Sequence, residues 1–478
     1  MSNVTTGRPP SKPRWAKPAS RTVALATAAA VALGSIPTRA QTGSSAGLPM
    51  IRDAEIEQLL RDYTQPILRV AGLSKQNVQI VIINDKSFNA FVVDAHRIFV
   101  NAGALMQATT PNQLIGVFAH ETGHIVGGHL SKLRQELATA QTAAIIAMLL
   151  GVGAMVAGAR SGSADMGNVG AAVMNAPQAY LQNTLMAYQR AQEDQADRAG
   201  VRFLTMSGQS AKGMYDTFKR FADESMFSAR YVDPYAINHP MPQERMAALA
   251  EMVKTPYWDK KDPPELQFRH DMMRAKLYGF IERADTVMRR YPPSDTSIPA
   301  RYARAVSTYR FGALREAIAQ IDALIAAMPN FPYFYELKGQ ALLEGGHPAE
   351  AIAPFRRAVQ LAPSPALIQI SLAQAMIATN NPKLAAEAIP LLRAAIIKEP
   401  ESSEAYDQLA LAYGHKGDLP DADLASAQAA FSRGDNKTAR ELAARAKMRF
   451  PVGSPGWVRA DDIVAFNKNA NHNPLLGQ

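Results

Sequence analysis

Thr110-Pro-Asn-Gln-Leu-Ile-Gly-Val-Phe-Ala-His120-Glu121-Thr122-Gly123-His124 is the stretch from which the rest of the chain can be read. Thr110 can cap a helix, Pro111 suits its first position, and Gln113 completes a capping box. Leu114, Ile115, Val117 and Phe118 supply an apolar face. On that helix His120 and His124 stand one turn apart on one side, so both imidazoles can reach one metal ion. Glu121 lies beside the same spot, placed to act as a base. The chain has no cysteine. Disulfides, zinc fingers, iron–sulfur clusters and thiol nucleophiles are therefore excluded, and a transition metal must be held by histidine and carboxylate.

A zinc site of this kind needs a third protein ligand. Glu193-Asp-Gln-Ala-Asp197 supplies it, within a helix expected from about Tyr180 to Leu204. Glu193 and Asp197 share a helix face. Glu193 is assigned to the metal, and Asp197 to the free ring N–H of a ligand histidine, which fixes that ring's tautomer. His129, after Gly127-Gly128, lies off the ligand face and is expected behind the ligands. His96, His270, His347, His415 and His472 have no cluster around them and read as ordinary surface or packing residues.

The chain has 478 residues, 47% of them hydrophobic and 19% charged, which excludes a wholly disordered chain. Its net charge of +9 first suggests nucleic acid. Residues 1–40, however, hold Arg8, Lys12, Arg14, Lys17, Arg21 and Arg39 with no acid, so they carry six of the nine surplus charges. The remainder is near neutral and shows no basic–aromatic patch, so no nucleic-acid partner is expected. Residues 1–40 read as a secretory signal. An apolar run from about Val23 to Ile36, too short to span a bilayer comfortably, is followed by Thr38-Arg39-Ala40, a small-x-small cleavage site. An uncleaved anchor is the alternative, and a lipoprotein is excluded for want of a cysteine. The implied location is the periplasm.

Ile51–Leu73 has helical spacing, and strands are expected over Val78–Ile83, Phe88–Val93 and Arg97–Val100. Residues 143–159 hold no charge. They are short for a span and rich in glycine, which favours a buried or lid-like helix, or one touching the membrane surface. A mobile loop is expected over 160–170. Thr255–Pro264 is dense in breakers and charge and reads as a linker.

Pro329 and Pro363 lie 34 residues apart, the period of the tetratricopeptide repeat. Between them Tyr335, Gly339, Leu342, Ala351, Phe355 and Ala358 occupy the repeat's characteristic places. Units at 298–329 and 366–400 agree less well, and 265–292 reads as a degenerate first unit. Tyr406, Ala410 and Tyr413 start another first helix, while Ala439, Ala443, Ala446 and Pro451 finish a later second helix. Repeats of this kind present a concave face to protein or peptide and carry no chemistry themselves.

The pattern H-E-x-G-H-x-x-x-x-H at 120–129, followed by E-x-x-A-D at 193–197, resembles the zinc metallopeptidase family that contains the CAAX prenyl proteases and the HtpX-like membrane proteases. Asn89-Ala90-Phe91 and Ile98–Gly103 resemble that family's strand segment ahead of the metal helix. The signal and repeats narrow the likeness to its BepA-like periplasmic branch. The fold this implies is α+β, mostly α: a gluzincin-type metalloprotease domain with a small β-sheet, then an α-solenoid of tetratricopeptide repeats. The corresponding division is signal 1–40, protease domain 41–254, linker 255–264, repeats 265–452 and tail 453–478. The resemblance implies one Zn²⁺ per chain on His120, His124 and Glu193, with Glu121 as base. It also implies that His239, in His239-Pro-Met-Pro-Gln-Glu-Arg245, is a fourth ligand that gates a latent site. His239 or Arg245 would then help to stabilise the oxyanion, with Arg245 behind the ligands. Substrate is expected to add as a strand to an edge near Arg97–Val100. The expected activity is a periplasmic zinc endopeptidase acting on unfolded or misassembled proteins, in quality control or assembly of outer-membrane proteins. The repeats would recruit the assembly machinery. The competing reading is a chaperone or adaptor whose protease site is mostly shut.

Overall fold

Aspartate 53 opens the first helix, its carboxylate accepting the Ile56 N–H at 2.9 Å. This helix, α1 (Ala54–Val70), buries Ile56, Leu59, Leu60, Tyr63 and Ile67, spaced so as to fall on one face. The computed structural model describes residues 49–129, 131–132, 135, 189–227 and 234–466. The expected signal, the apolar run 143–159 and the loop 160–170 lie outside the described residues.

Four strands follow the order β1-β2-β4-β3: β1 (Met50–Ile51), β2 (Gln79–Ile83), β3 (Ala90–Asp94) and β4 (Arg97–Asn101). β2 and β4 are parallel, with Ile80 beside Ile98 and Ile82 beside Val100. β3 returns antiparallel on β4, with Phe91 opposite Phe99 and an irregularity between Val92 and Asp94. This corrects the expected substrate edge. Arg97–Val100 is hydrogen-bonded on both sides, and among the described residues the edges of the sheet are the two-residue β1 and β3. The alternating apolar pattern places both segments in a sheet, but strand order depends on the crossover, which local pattern does not encode.

α2 (Ala102–Gln107) leads into α3 (Pro111–Gly127), where the Thr110 N–H donates to Gln113 Oε1 at 3.3 Å. α3 stops at Gly128, in the left-handed region at φ 61°. The remaining helices of this half are α4 (189–206), α5 (Lys212–Phe227), α6 (Pro234–Asn238) and α7 (Gln243–Met252). Leu114, Val117 and Phe118 of α3 share one core with Leu60, Tyr63, Ile98, Val100, Leu204 and Phe218.

Residues 255–264 are strapped to the protein rather than hanging as a linker. Ser210 Oγ donates to the Trp258 carbonyl at 2.7 Å, and the Asn112 N–H to Asp262 Oδ2 at 2.9 Å. The next helix, α8 (Pro264–Ile281), puts Met273 and Leu277 into the first core and Met272 into the core of the repeats. Its His270 is fully buried, donating from Nε2 to the Ala108 carbonyl at 2.9 Å and accepting the Tyr63 hydroxyl at 3.0 Å. One helix thus belongs to both cores, so the packing does not break at the strap.

Helical hairpins continue as α9 (Ala284–Arg290), α10 (Ile298–Phe311), α11 (Leu314–Ala327), α12 (Pro332–Glu344), α13 (Pro348–Leu361), α14 (Ala366–Ala378), α15 (Pro382–Lys398), α16 (Ser403–Lys416), α17 (Leu419–Ser432) and α18 (Asn436–Lys447). A Cβ on Gly339 of α12 would stand 2.7 Å from the Phe355 ring of α13, so glycine sets how closely these two helices pack. The expected tail at 453–478 is corrected in part. Pro455–Ala465 is a further helix, α19, capped by Ser454, and its Ala460 and Ile463 pack with Ala439, Ala443 and Ala446 of α18. Its apolar spacing is short and follows Pro451, which made it read as a terminus. Among the described residues no helix is long and apolar enough to cross a membrane.

Candidate metal centre

Three elements converge on one buried point. α3 brings His120 and His124, one turn apart. α4 crosses α3 at Gly123, where a Cβ would lie 2.8 Å from the Ala196 carbonyl oxygen, and this close approach carries Glu193 up to the two imidazoles. The end of α6 brings His239, whose N–H still bonds back to the Tyr235 carbonyl at 2.8 Å.

One atom from each of His120, His124, Glu193 and His239 lies within 4.8 Å of the others, and all four residues are buried. His120 Nε2 is 3.1 Å from His124 Nε2, 3.3 Å from His239 Nδ1 and 3.4 Å from Glu193 Oε2. His124 Nε2 is 3.5 Å, and His239 Nδ1 3.1 Å, from Glu193 Oε1. A tetrahedral zinc with bonds of ~2.0–2.1 Å has donors spaced by ~3.3–3.4 Å, so these spacings fit the ion. The donor chemistry fits as well, being imidazole and carboxylate with no sulfur.

The outer ring nitrogens are also held. His120 Nδ1 lies 3.0 Å from Asp197 Oδ1. Arg245 grips Asp197 with two bonds, Nε to Oδ2 at 2.7 Å and Nη2 to Oδ1 at 2.8 Å. Its third nitrogen, Nη1, reaches Glu193 Oε2 and the Pro240 carbonyl, each at 2.9 Å. His129 Nδ1 is 2.9 Å from His124 Nδ1, and its Nε2 is 3.3 Å from Gln195 Oε1. One consistent assignment runs from the His124 Nδ1–H to His129 and from the His129 Nε2–H to Gln195, leaving His124 Nε2 with a lone pair at the centre.

The electrostatics follow from burial and these partners. Burial opposes charge on His120, yet Asp197 and Glu193 carry its pKa up to about 9 in the metal-free protein. Burial and the neighbouring His120 hold His124 well below the ordinary range, hence neutral. Burial works against the Glu193 charge too, but His239 and His120 keep its carboxyl well below the usual value. Glu121 differs: burial pushes its carboxyl up. Glu121 Oε1 lies 3.4 Å from His239 Nε2.

All the residues singled out from the sequence meet here: His120, Glu121, His124, His129, Glu193, Asp197, His239 and Arg245. Sequence reading missed Gln195, Phe218 and Tyr235. Phe218 presents its ring edge-on to His120 at 5.1 Å, and the Tyr235 ring lies 4.6 Å from His239. Gln195 sat inside the quoted E-x-x-A-D run and was legible there. Tyr235 had only its position one turn before His239, and Phe218 had no signal beyond being apolar.

Residues 51–253 match peptidase family M48, and residues 302–365 match a tetratricopeptide repeat family. The chain is 24% identical over 426 residues to the beta-barrel assembly-enhancing protease of Yersinia pestis, covering 87% of this chain and 84% of that protein. It is 23% identical over 438 residues to the protein of the same name from Escherichia coli (strain K12), covering 90% of this chain and 81% of that one. Among solved structures, MamA 41-end from Desulfovibrio magneticus RS-1 is 20% identical, with a TM-score of 0.29 over 35% of this chain and 90% of that chain.

Proposed function

From the premise that this chain carries a peptidase family M48 domain with tetratricopeptide repeats behind it, we propose a zinc-dependent endopeptidase of the periplasm that acts on outer-membrane proteins during their assembly or quality control. The observation that carries the reading is the set of four buried donor residues, one atom of each lying within 4.8 Å of the others. The location and substrate class come from the likeness to the beta-barrel assembly-enhancing proteases and from the basic, apolar N-terminal stretch. The repeats would take the assembly machinery or the substrate chain as their partner.

His120, His124 and Glu193 would hold the ion. When bound, it supplies a Lewis acid that polarises a peptide carbonyl and acidifies water. Glu121 takes the proton from the attacking water and passes it to the leaving amine. Burial, by pushing the Glu121 carboxyl up, brings it closer to the pH at which a base must also give its proton back. Asp197 keeps His120 Nδ1 protonated, and the Arg245 fork fixes Asp197 and Glu193 relative to each other. The open edge of β3 receives an extended substrate by strand addition. It adjoins the site, since Asn238 Nδ2 donates to Asn89 Oδ1 at 3.4 Å.

His239 Nδ1 lies 3.1 Å from Glu193 Oε1 and 3.3 Å from His120 Nε2; as a fourth ligand it would shut the resting site, and cleavage would require it to leave. This observation also favours the second reading, an adaptor whose protease site seldom opens. Cleavage of unfolded casein by zinc-loaded wild type, His239→Ala and Glu121→Gln separates the two. Cleavage that rises in His239→Ala and vanishes in Glu121→Gln supports the gated protease. No zinc and no cleavage in any variant leaves the adaptor.

A further inference from the structure

Around the metal cluster, both Glu121 carboxylate oxygens, His239 Nε2, the Tyr235 hydroxyl and His120 Nδ1, whose contact with Asp197 at 3.0 Å is an ion pair, have no well-aligned hydrogen-bond partner among the described residues. Tyr235 is 0% exposed. Its ring is wedged against Phe88, Phe218 and Phe221, with centroids 5.7, 5.9 and 5.4 Å away, and lies 4.6 Å from the His239 ring. Phenylalanine would serve every one of these ring contacts. A buried hydroxyl with no partner costs free energy that phenylalanine avoids. The hydroxyl therefore has its use in a state with something bound.

These atoms are not equivalent. An ionised Glu121 only accepts hydrogen bonds, and His239 Nε2 already faces it at 3.4 Å. With His239 Nδ1 turned to the cluster, its Nε2–H faces Glu121, and the Tyr235 hydroxyl is left as the donor with no acceptor facing it among the described residues. His239 comes directly after the last residue of α6 and before Pro240, whereas Tyr235 lies within α6 among three phenylalanines. Resting on the peptidase reading above, we propose that Tyr235 is a catalytic residue. Its hydroxyl donates a hydrogen bond to the oxygen of the scissile peptide carbonyl as negative charge develops there. The phenol keeps its proton throughout, and the proton traffic remains with Glu121.

The test compares Tyr235→Phe with its parent in both wild type and His239→Ala. With dye-labelled casein, kcat should fall about a hundredfold in the His239→Ala background, with KM within about twofold. Zinc content should stay at one per chain. The melting temperature of metal-free Tyr235→Phe should equal or exceed that of wild type, because an orphan hydroxyl has been removed. Calorimetry with phosphoramidon, whose phosphoryl oxygens mimic the charged carbonyl oxygen, needs no turnover and should show about tenfold weaker binding to the variant. Casein cleavage and phosphoramidon binding that are both indifferent to Tyr235→Phe overturn the inference and leave the peptidase reading standing. Absence of both cleavage and phosphoramidon binding in every zinc-loaded variant overturns the peptidase reading, and this inference with it.

Discussion

Asp197 serves two neighbours with one carboxylate, the His120 ring at 3.0 Å and the Arg245 fork at 2.7 and 2.8 Å. Asparagine has nearly the same shape but no charge and only one acceptor oxygen. On the proposed metallopeptidase reading, Asp197→Asn should weaken metal binding about 10- to 100-fold, measured with zinc by competition with a fluorescent chelator. His270 gives a prediction of another kind. Burial, opposed by the hydrogen bond to the Ala108 carbonyl, takes its pKa down to about 4 from an ordinary 6.5. Between these values the folded protein binds fewer protons than the unfolded chain. Stability from this group is thus full above pH 6.5 and declines as pH falls toward 4. The full span corresponds to about 3 kcal/mol. Urea midpoints at pH 7.5 and 5 should differ less in His270→Gln than in wild type.

At the scale of elements, the α12–α13 hairpin depends on the missing side chain of Gly339. The Phe355 ring that a Cβ would strike is itself 1% exposed, so it has little room to yield. Gly339→Ala should destabilise the chain by about 1–3 kcal/mol, read from thermal or urea unfolding. Elements were legible wherever local chemistry sufficed: the capping box at Thr110, the alternating strands, and the 34-residue spacing of Pro329 and Pro363. The β3 edge was not legible, because which strand lies outside depends on the parallel crossover from β2 to β4. Helix α19 was missed for a related reason, since its apolar face has meaning only against α18.

Across the whole molecule, the start of α1 is bound into the repeats. Lys276 of α8, 3% exposed, meets Asp53 at 2.7 Å, Glu55 at 3.2 Å and Glu336 of α12 at 3.7 Å. The Tyr302 hydroxyl of α10 donates to Glu55 at 2.9 Å, and Ala54 packs with Ala358 and Ile368. Lys276→Met would take the cation away from three largely buried acidic side chains and should cost about 3–5 kcal/mol in urea unfolding. Three acids around one ammonium also leave surplus negative charge, and burial pushes Glu336 up to about 8 from an ordinary 4.5. Here the folded state binds more protons than the unfolded chain, so stability falls as pH rises through that window. Glu336→Gln removes the penalty. It should melt above wild type at pH 8.5, by the equivalent of about 1 kcal/mol or more, and close to it at pH 5.

The sequence by itself singled out the side chains that meet at the site. An i, i+4 histidine pair with its adjacent glutamate, and an i, i+4 acidic pair, are patterns written in helical periodicity, and that periodicity is local. It also determined the repeats, because each hairpin's small residues record its own close packing. Only the tertiary structure decided that His239 and Arg245 close on the same point, that Tyr235 is walled in beside them with no partner for its hydroxyl among the described residues, that β3 rather than β4 lies at an edge of the sheet, and that α8 contributes to two cores at once. Those facts depend on distances between segments far apart in the chain. Such distances are set by how buried faces and charges find partners together, and no single segment encodes them.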